Sequence, residues 1–340
     1  VSAPLVEIEG LAIGFDGPES FKRVVHDLDL VVRPGECVAL VGESGSGKSV
    51  TARSILNLAG RGARIEARKY LIDGQNALAF DEARWRALRG TFAGLVLQDA
   101  LTSLDPLRTI GQEVGEAAAH HAPARKSAEI ETLVAETLAR VGVPDPEIRA
   151  RQYAHQLSGG LRQRALIAAA IACGPRLIIA DEPTTALDAT VQAQVISVLK
   201  DRVREGAGLL LISHDLAVVA GIADRVHVLR AGRALDAGST TEVLARPRHA
   251  YTRQLIAASP SAGSRGSRLS SARIASDDGD AIQIVRDALP ARPPARDDLV
   301  LEAVDITMRY RRQGEAFVAL DRMSFSIRAG EVVGLVGESG

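Results

Sequence analysis

Gly42-Glu-Ser-Gly-Ser-Gly47-Lys48-Ser49 follows the apolar run Cys37-Val-Ala-Leu-Val41 and opens a segment with helical character. A Gly-x-x-x-x-Gly-Lys-Ser pattern between a strand and a helix is a phosphate-binding arrangement. Its glycines let the backbone wrap the phosphates, so that amide hydrogens and the helix N-terminus meet the negative charge. Lys48 reaches the terminal phosphates and Ser49 can ligate magnesium. The candidate nucleotide contacts are therefore Gly42, Glu43, Ser44, Gly45, Ser46, Gly47, Lys48 and Ser49. Taken alone, the loop implies a nucleoside triphosphate and no particular reaction.

Upstream of the loop, Leu5 to Phe15 and Val24 to Val32 carry short apolar stretches separated by Asp16-Gly17-Pro18, which predicts antiparallel strands joined by a turn. Downstream, residues 99–155 turn helical, with Ile130, Leu133, Val134, Thr137, Leu138 and Val141 at three- and four-residue steps. A helix from Leu161, a strand at Leu177 to Ala180, a helix from Thr190 to Arg204 and a strand at Leu209 to Ser213 follow. Alternation of this kind predicts an α/β fold with a mainly parallel sheet covered by helices. An N-terminal antiparallel β subdomain and an α-helical insertion are added to it.

The 340 residues allow two domains. Residues 259–298 are rich in Ser, Gly, Arg, Asp and Pro and read as a flexible linker between domains. After it the sequence restarts. Ala329-Gly-Glu-Val-Val-Gly-Leu-Val-Gly-Glu-Ser-Gly340 repeats Pro34-Gly-Glu-Cys-Val-Ala-Leu-Val-Gly-Glu-Ser-Gly45, and the same offset pairs Tyr310 with Phe15 and Glu302 with Glu7. Residues 1–258 are thus expected to form one domain and 299–340 the truncated start of a second.

A net charge of -1 gives no overall attraction to a long polyanion or an acidic membrane surface, and no nucleic-acid partner is expected. Cys37 and Cys173 lie far apart among small or apolar neighbours, so a disulfide framework is not indicated and a reducing compartment fits. No apolar run approaches the length of a spanning helix. Any membrane part must come from other chains.

Leu177-Ile-Ile-Ala-Asp181-Glu182 places two carboxylates at the end of a buried strand. Asp181 can hold magnesium, and Glu182 is the candidate general base for an attacking water. Leu157-Ser158-Gly159-Gly160-Leu161-Arg162-Gln163-Arg164 then resembles the signature sequence of ABC ATPases, and the likeness extends over nearly all of residues 5–258. It includes Gln98 after the strand Ala93 to Leu97, Ala186-Leu187-Asp188, and Ile212-Ser-His214-Asp. The resemblance implies a P-loop NTPase fold with a RecA-like core, ATP and Mg2+ as nucleotide and metal, and ATP hydrolysis. By the same likeness Phe15 stacks on adenine, Gln98 joins Ser49 and Asp181 at magnesium, and His214 contacts the terminal phosphate. Ser158, Gly159, Gly160 and Asp188 complete the ATP site of a facing domain, the glycines at a helix start offering backbone amides to its phosphates.

Gln98-Asp-Ala-Leu-Thr-Ser-Leu-Asp105-Pro106 and His249-Ala-Tyr251-Thr252-Arg253 are similar to segments of the dipeptide, oligopeptide and nickel importers. That likeness implies an energy-coupling ATPase at the cytoplasmic face of the inner membrane. Its partners would be permease subunits, a second ABC ATPase domain in cis or in trans, and indirectly a substrate-binding protein. Many such importers carry a cysteine-rich stretch at their end, absent here beyond Cys173, so no iron-sulfur site is expected. A soluble tandem ATPase acting on ribosomes or DNA, and a non-functional truncated frame, remain alternatives. His120 and His121 are expected to point apart as solvated surface, Cys37, Cys173 and Trp85 to fill the core or an interface, and Arg309, Arg311 and Arg312 to lie in a solvated turn.

Overall fold

The computed structural model describes residues 2–16, 21–185, 187–260, 264–269, 273–276, 283–291, 296–312 and 315–337. Ala186, the Gly17-Pro18 part of the first turn, much of 259–298 and residues 338–340 of the repeated loop lie outside the described residues. The chain opens with strands β1 (Val6–Asp16), β2 (Phe21–Val32) and β3 (Cys37–Val41), then helix α1 (Lys48–Ser54). Strands β4 (Ala63–Glu66), β5 (Lys69–Ile72) and β6 (Gln75–Asn76) follow, then α2 (Glu82–Leu88) and β7 (Ala93–Val96). A helical stretch comprises α3 (Ala100–Ser103), α4 (Ile110–His121), α5 (Ser127–Arg140), α6 (Pro146–Ala150) and α7 (Gly159–Ile171). Next come β8 (Leu177–Asp181), α8 (Ala189–Arg204), β9 (Gly208–Ile212), α9 (Leu216–Ile222), β10 (Arg225–Arg230), β11 (Arg233–Ser239), α10 (Thr240–Ala245) and α11 (Ala250–Ala258). Two antiparallel pairs end the chain, β12 (Arg273–Ser276) with β13 (Gln283–Val285) and β14 (Leu299–Arg312) with β15 (Glu315–Arg328).

The central sheet has the order β11-β10-β3-β9-β8-β7, parallel except for β11. Every residue of β3, β8 and β9 is buried. A strand covered on both faces can be apolar at every position, which is why these three read as continuous runs and not as alternations. Chain order reverses beside β3, since β9 flanks one side and β10 the other. Loops leaving the carboxyl ends of β3, β7, β8 and β9 therefore meet along one edge, the edge where open α/β sheets bind ligands.

The antiparallel sheet is broader than the sequence suggested. Strand β1 pairs with β2 on one side and with both β4 and β5 on the other, and β6 extends β5. Its inner face packs on α1 and the central sheet through Ile8, Leu11, Ile13, Leu30, Ile55 and Tyr70. The buried Tyr70 hydroxyl donates to the Ser54 carbonyl at 2.8 Å and fixes the end of α1. On α5 the three- and four-residue steps meet the core at Val134, Thr137 and Leu138, and Val141 is buried just beyond. Fully burying each such aliphatic chain contributes roughly 1.5–3 kcal/mol.

Residues 301–328 repeat residues 6–33 in register as well as in sequence. Leu301↔Ile327, Ala303↔Phe325, Ile306↔Met323, Met308↔Leu320 and Tyr310↔Phe317 reproduce Val6↔Val32, Ile8↔Leu30, Leu11↔Leu28, Ile13↔Val25 and Phe15↔Lys22, irregularities included. Even the left-handed residues recur, Asp27 at φ 50° and Arg322 at φ 50°. In the second hairpin several of the corresponding apolar residues are exposed, Leu301, Ile306 and Met308 among them, whereas Ala303 is buried. Within 259–298, β12 and β13 pair, and Arg286 donates to the Ala257 carbonyl of α11 at 2.7 Å, so this stretch carries local structure.

Two smaller expectations are corrected. His120 and His121 do not diverge; their rings meet edge to face at 4.9 Å, and His121 Nε2 lies 2.8 Å from the Arg89 carbonyl. Adjacent helical positions differ by only about 100°, and rings of this length bridge that angle at a helix end. Cys173 is only half-buried, whereas Cys37 is fully buried. Trp85 packs in the core against Phe80, with ring centroids 5.1 Å apart. Arg309 is exposed as expected, but Arg309, Arg311 and Arg312 all lie within β14 and not in a turn, and the side chains of Arg311 and Arg312 lie outside the described residues.

His227, buried on β10, has no hydrogen-bond partner at either ring nitrogen among the described residues. Burial, aided by the nearby Arg225 charge, holds its pKa down at about 4. An unfolded imidazole titrates near 6.5, so the unfolded chain binds more protons between these values. The stability contribution is complete above pH ~6.5 and is lost as pH falls towards 4, up to about 3 kcal/mol. Urea unfolding at pH 7.5 and pH 4.5 is expected to show wild type losing more stability than His227→Leu. Equal losses in the two proteins would contradict this.

Candidate functional site

Strand β3 delivers the chain to Gly42, whose φ of 145° is open to glycine; an added Cβ would sit 2.1 Å from the Leu229 carbonyl oxygen. Glu43, Ser44 and Gly45 are exposed, Ser46 is buried, and Ser46 N–H donates back to the Glu43 carbonyl at 3.2 Å. Gly47 caps α1 in a left-handed conformation, and among the described residues no side-chain cap takes up the first-turn amides. The buried Lys48 ammonium donates to the Gly42 carbonyl at 2.9 Å, the Glu43 carbonyl at 2.7 Å and Ser46 Oγ at 3.3 Å. Burial lowers its pKa, and the charges of Glu182, Asp181 and Glu43 work in the opposite direction. Anionic phosphate oxygens attract an ammonium more strongly than these neutral carbonyls do.

Asp181 at the end of β8 is fully buried and doubly bonded to α1. Ser49 Oγ donates to its Oδ1 at 2.8 Å and Arg53 Nη2 to its Oδ2 at 3.1 Å. Glu182, the next residue, has φ 49°, a left-handed conformation that costs a non-glycine residue of order 1 kcal/mol or more. Its N–H pairs with the Ile212 carbonyl of β9 at 3.0 Å, and its carbonyl accepts from Thr185 N–H at 3.2 Å. These two bonds hold the turn that swings its carboxylate away from Asp181. Three groups converge on Glu182 Oε2. Gln98 Nε2 and Thr185 Oγ1 each donate at 3.0 Å, and His214 Nδ1 lies 3.3 Å away. Gln98 follows β7 and His214 follows β9, so the carboxyl ends of three neighbouring strands meet on one oxygen.

The other candidates are placed by different elements. Ser158 is the N-cap of α7, its hydroxyl accepting from Leu161 N–H at 3.4 Å. Gly159 is exposed with open space where a Cβ would stand, whereas Gly160 packs on Val191 of α8. Asp188 caps α8 by accepting from that same Val191 N–H at 2.9 Å. Two helix starts are thus joined through Val191. Among the described residues no hydrogen bond ties Ser158, Gly159 or Gly160 to the phosphate loop or to Glu182. Phe15 is half-buried at the end of β1, in register with Ala63 of β4 and close to Gly60.

Sequence reasoning assigned no site role to four residues, one of which, Tyr251, stood out only within an importer-like segment. Arg53 stands four residues after Ser49 on α1, a spacing that puts both on one helix face and could have flagged it. Thr185 lies three residues after Glu182 within Glu-Pro-Thr-Thr, a turn sequence compatible with a side chain folding back. Tyr251, whose hydroxyl accepts from Glu43 N–H at 3.1 Å, and Arg230, over the Tyr251 ring at 4.7 Å, reach the loop from far along the chain. No local pattern announces such contacts. Among the described residues no helix is long and apolar enough to cross a membrane.

A family model described as ABC transporter matches residues 25–185. A protein of Brucella ovis named "Putative peptide import ATP-binding protein" is 46% identical over 267 residues, covering 76% of this chain and 79% of that protein. The oligopeptide transport ATP-binding protein OppD of Lactococcus lactis subsp. cremoris is 40% identical over 262 residues, 77% of each chain. The peptidoglycan transport ATP-binding protein YejF of Agrobacterium fabrum is 40% identical over 346 residues, covering 99% of this chain but 58% of that protein. Among solved structures, a dimeric post-hydrolysis state of the ATP-binding cassette MJ0796 bound to ADP and Pi superposes with a TM-score of 0.63 at 25% identity. That match covers 69% of this chain and 98% of that one. With its strand-loop-helix phosphate site and its paired carboxylates set on a P-loop NTPase fold, this chain belongs to the ABC transporter family as one of its ATP-binding, ATP-hydrolysing proteins.

Proposed function

We propose that this ATPase powers import of peptides or related small solutes through membrane permeases, with Glu182 as the base that activates water. The observation that carries the site assignment is the convergence of Gln98, Thr185 and His214 on Glu182 Oε2, next to the Ser49–Asp181 pair. The import assignment is supported by the names of the relatives in Brucella and Lactococcus, given there to peptide import and oligopeptide transport ATP-binding proteins. Permease subunits are the partners proposed, with a substrate-binding protein acting through them, and the cytoplasmic face of the inner membrane is the proposed location.

In this reading the triphosphate lies in the loop of residues 42–49, with Phe15 against adenine and Lys48 on the terminal phosphates. Ser49 hydroxyl, Asp181 carboxylate and the amide oxygen of Gln98 are all hard oxygen donors, the set that suits Mg2+. When bound, the ion would neutralise charge developing on the phosphate oxygens. Glu182 takes a proton from water as its oxygen bonds to the terminal phosphorus, and the bond to the bridging oxygen breaks to leave ADP. Gln98 and Thr185 orient the carboxylate, and His214 contacts the terminal phosphate. Ser158, Gly159, Gly160 and Asp188 serve the site of a facing ATPase domain, which fits the lack of a hydrogen bond from Ser158, Gly159 or Gly160 to Glu182 among the described residues.

We also propose the division into an ATPase domain at 1–258, a connection at 259–298 and the opening of a second ATPase domain at 299–340. The pairwise match of β14–β15 with β1–β2 and the alignment with YejF over 99% of this chain support it.

In Glu182→Gln, steady-state ATP hydrolysis is expected to fall by on the order of 10²–10⁴-fold, with ATP affinity retained and an ATP-dependent dimer accumulating by light scattering. Hydrolysis at the wild-type rate would remove Glu182 from the role of base. A second test uses two inactive variants, Lys48→Ala and Ser158→Arg. Mixing them is expected to restore part of the ATPase activity, because one intact composite site forms at their interface. A mixture as inactive as either variant alone would contradict the facing-domain assignment.

A further inference from the structure

The loop that holds Lys48 is not self-sufficient. Its Gly42–Glu43 peptide carries two bonds on opposite ends of one plane. The Gly42 carbonyl accepts from the Lys48 ammonium at 2.9 Å, and the Glu43 N–H donates to the Tyr251 hydroxyl at 3.1 Å. A peptide plane next to glycine rotates at little cost, because glycine tolerates φ values closed to other residues. Gly42 already sits at φ 145°. Something outside the loop must therefore fix the plane, and on the N–H side that group is Tyr251.

Tyr251 is itself held firmly. It is 4% exposed, and the Arg230 guanidinium lies over its ring at 4.7 Å. Asp236 of β11 anchors the start of α11. Its Oδ2 accepts from His249 N–H at 3.0 Å and, through a very short bond, from Thr252 Oγ1. Asp236 is buried, as is Thr252. The His249-Ala-Tyr251-Thr252 segment is thus a built structure, two residues clamping α11 to β11 while the tyrosine between them reaches the loop.

We propose that Tyr251 is a positioning residue for nucleotide binding: its hydroxyl orients the Gly42–Glu43 peptide and so holds the loop backbone in the shape that receives the phosphates. The inference rests on the reading of residues 42–49 as the phosphate site. Without the hydroxyl, the Glu43 N–H loses its acceptor and the plane turns to find another. The loop backbone then departs from the shape that receives the phosphates, and it must be reordered each time a nucleotide binds.

The test is titration of MgATP into this chain by calorimetry, alongside thermal unfolding, for Tyr251→Phe, Val243→Ala and Lys48→Ala. Tyr251→Phe keeps the ring and removes one hydrogen bond, so its Kd is expected to rise about three- to tenfold. Val243→Ala opens a cavity in the cluster that also contains Tyr251; it is expected to lower Tm at least as much while leaving Kd unchanged. Lys48→Ala is expected to lose binding. Wild-type affinity in Tyr251→Phe, with binding lost in Lys48→Ala, would overturn the role of Tyr251. An equal rise in Kd in Val243→Ala would also overturn it, reducing the effect to general destabilisation. Wild-type affinity in Lys48→Ala would overturn the phosphate-loop reading itself.

Discussion

The bond from Ser49 to the buried carboxylate of Asp181 is the constraint on which the rest of this site depends. It ties the first turn of α1 to the end of β8, two elements far apart in sequence, at 2.8 Å. An isolated ionised carboxylate with no exposure is costly to bury, and it persists because a hydroxyl and a guanidinium satisfy both of its oxygens. Once Asp181 is fixed, the left-handed turn at Glu182 sends the second carboxylate towards Gln98, Thr185 and His214. One strand end thus supplies two carboxylates with different surroundings. One is enclosed beside the phosphate loop, and the other is turned towards groups that can carry and orient a proton.

Parallel strands make this economical. Their carboxyl ends lie on one edge of the sheet, so Gly42, Gln98, Glu182 and His214 need no long excursions to meet. The helical stretch from α3 to α7 carries Ser158 as the N-cap of α7, and the antiparallel sheet carries Phe15 beside Ala63 and Gly60; neither is among the groups bonded to Glu182. The duplicated hairpin at 299–328 carries the same strand pairing, with apolar residues exposed where the first copy buries them against α1 and the central sheet.

Much of this was readable from the residues. The runs Cys37 to Val41, Leu177 to Ala180 and Leu209 to Ser213 are apolar at nearly every position, and strands buried on both faces write themselves that way. The Gly-Lys-Ser and Asp-Glu motifs identified both ends of the Ser49–Asp181 bond without showing that the bond exists. Strands β4, β5 and β6 went unread because they are short and partly exposed, with charged residues such as Arg64, Glu66 and Lys69 masking alternation. Thr185, Arg53 and Tyr251 went unread for a different reason. Their importance comes from tertiary contact, and the Tyr251–Glu43 bond joins positions 208 residues apart.

The central claim is that Glu182, Lys48 and the Ser49–Asp181 pair form the hydrolytic site of an ATPase. A crystal structure of the chain with magnesium and a non-hydrolysable ATP analogue tests it most directly. It should show Lys48 moved from the Gly42 and Glu43 carbonyls to the terminal phosphates, and a water between the terminal phosphorus and Glu182 within hydrogen-bond distance of its carboxylate. Triphosphate bound elsewhere, or bound in the loop with Glu182 turned away from the terminal phosphorus, would contradict it.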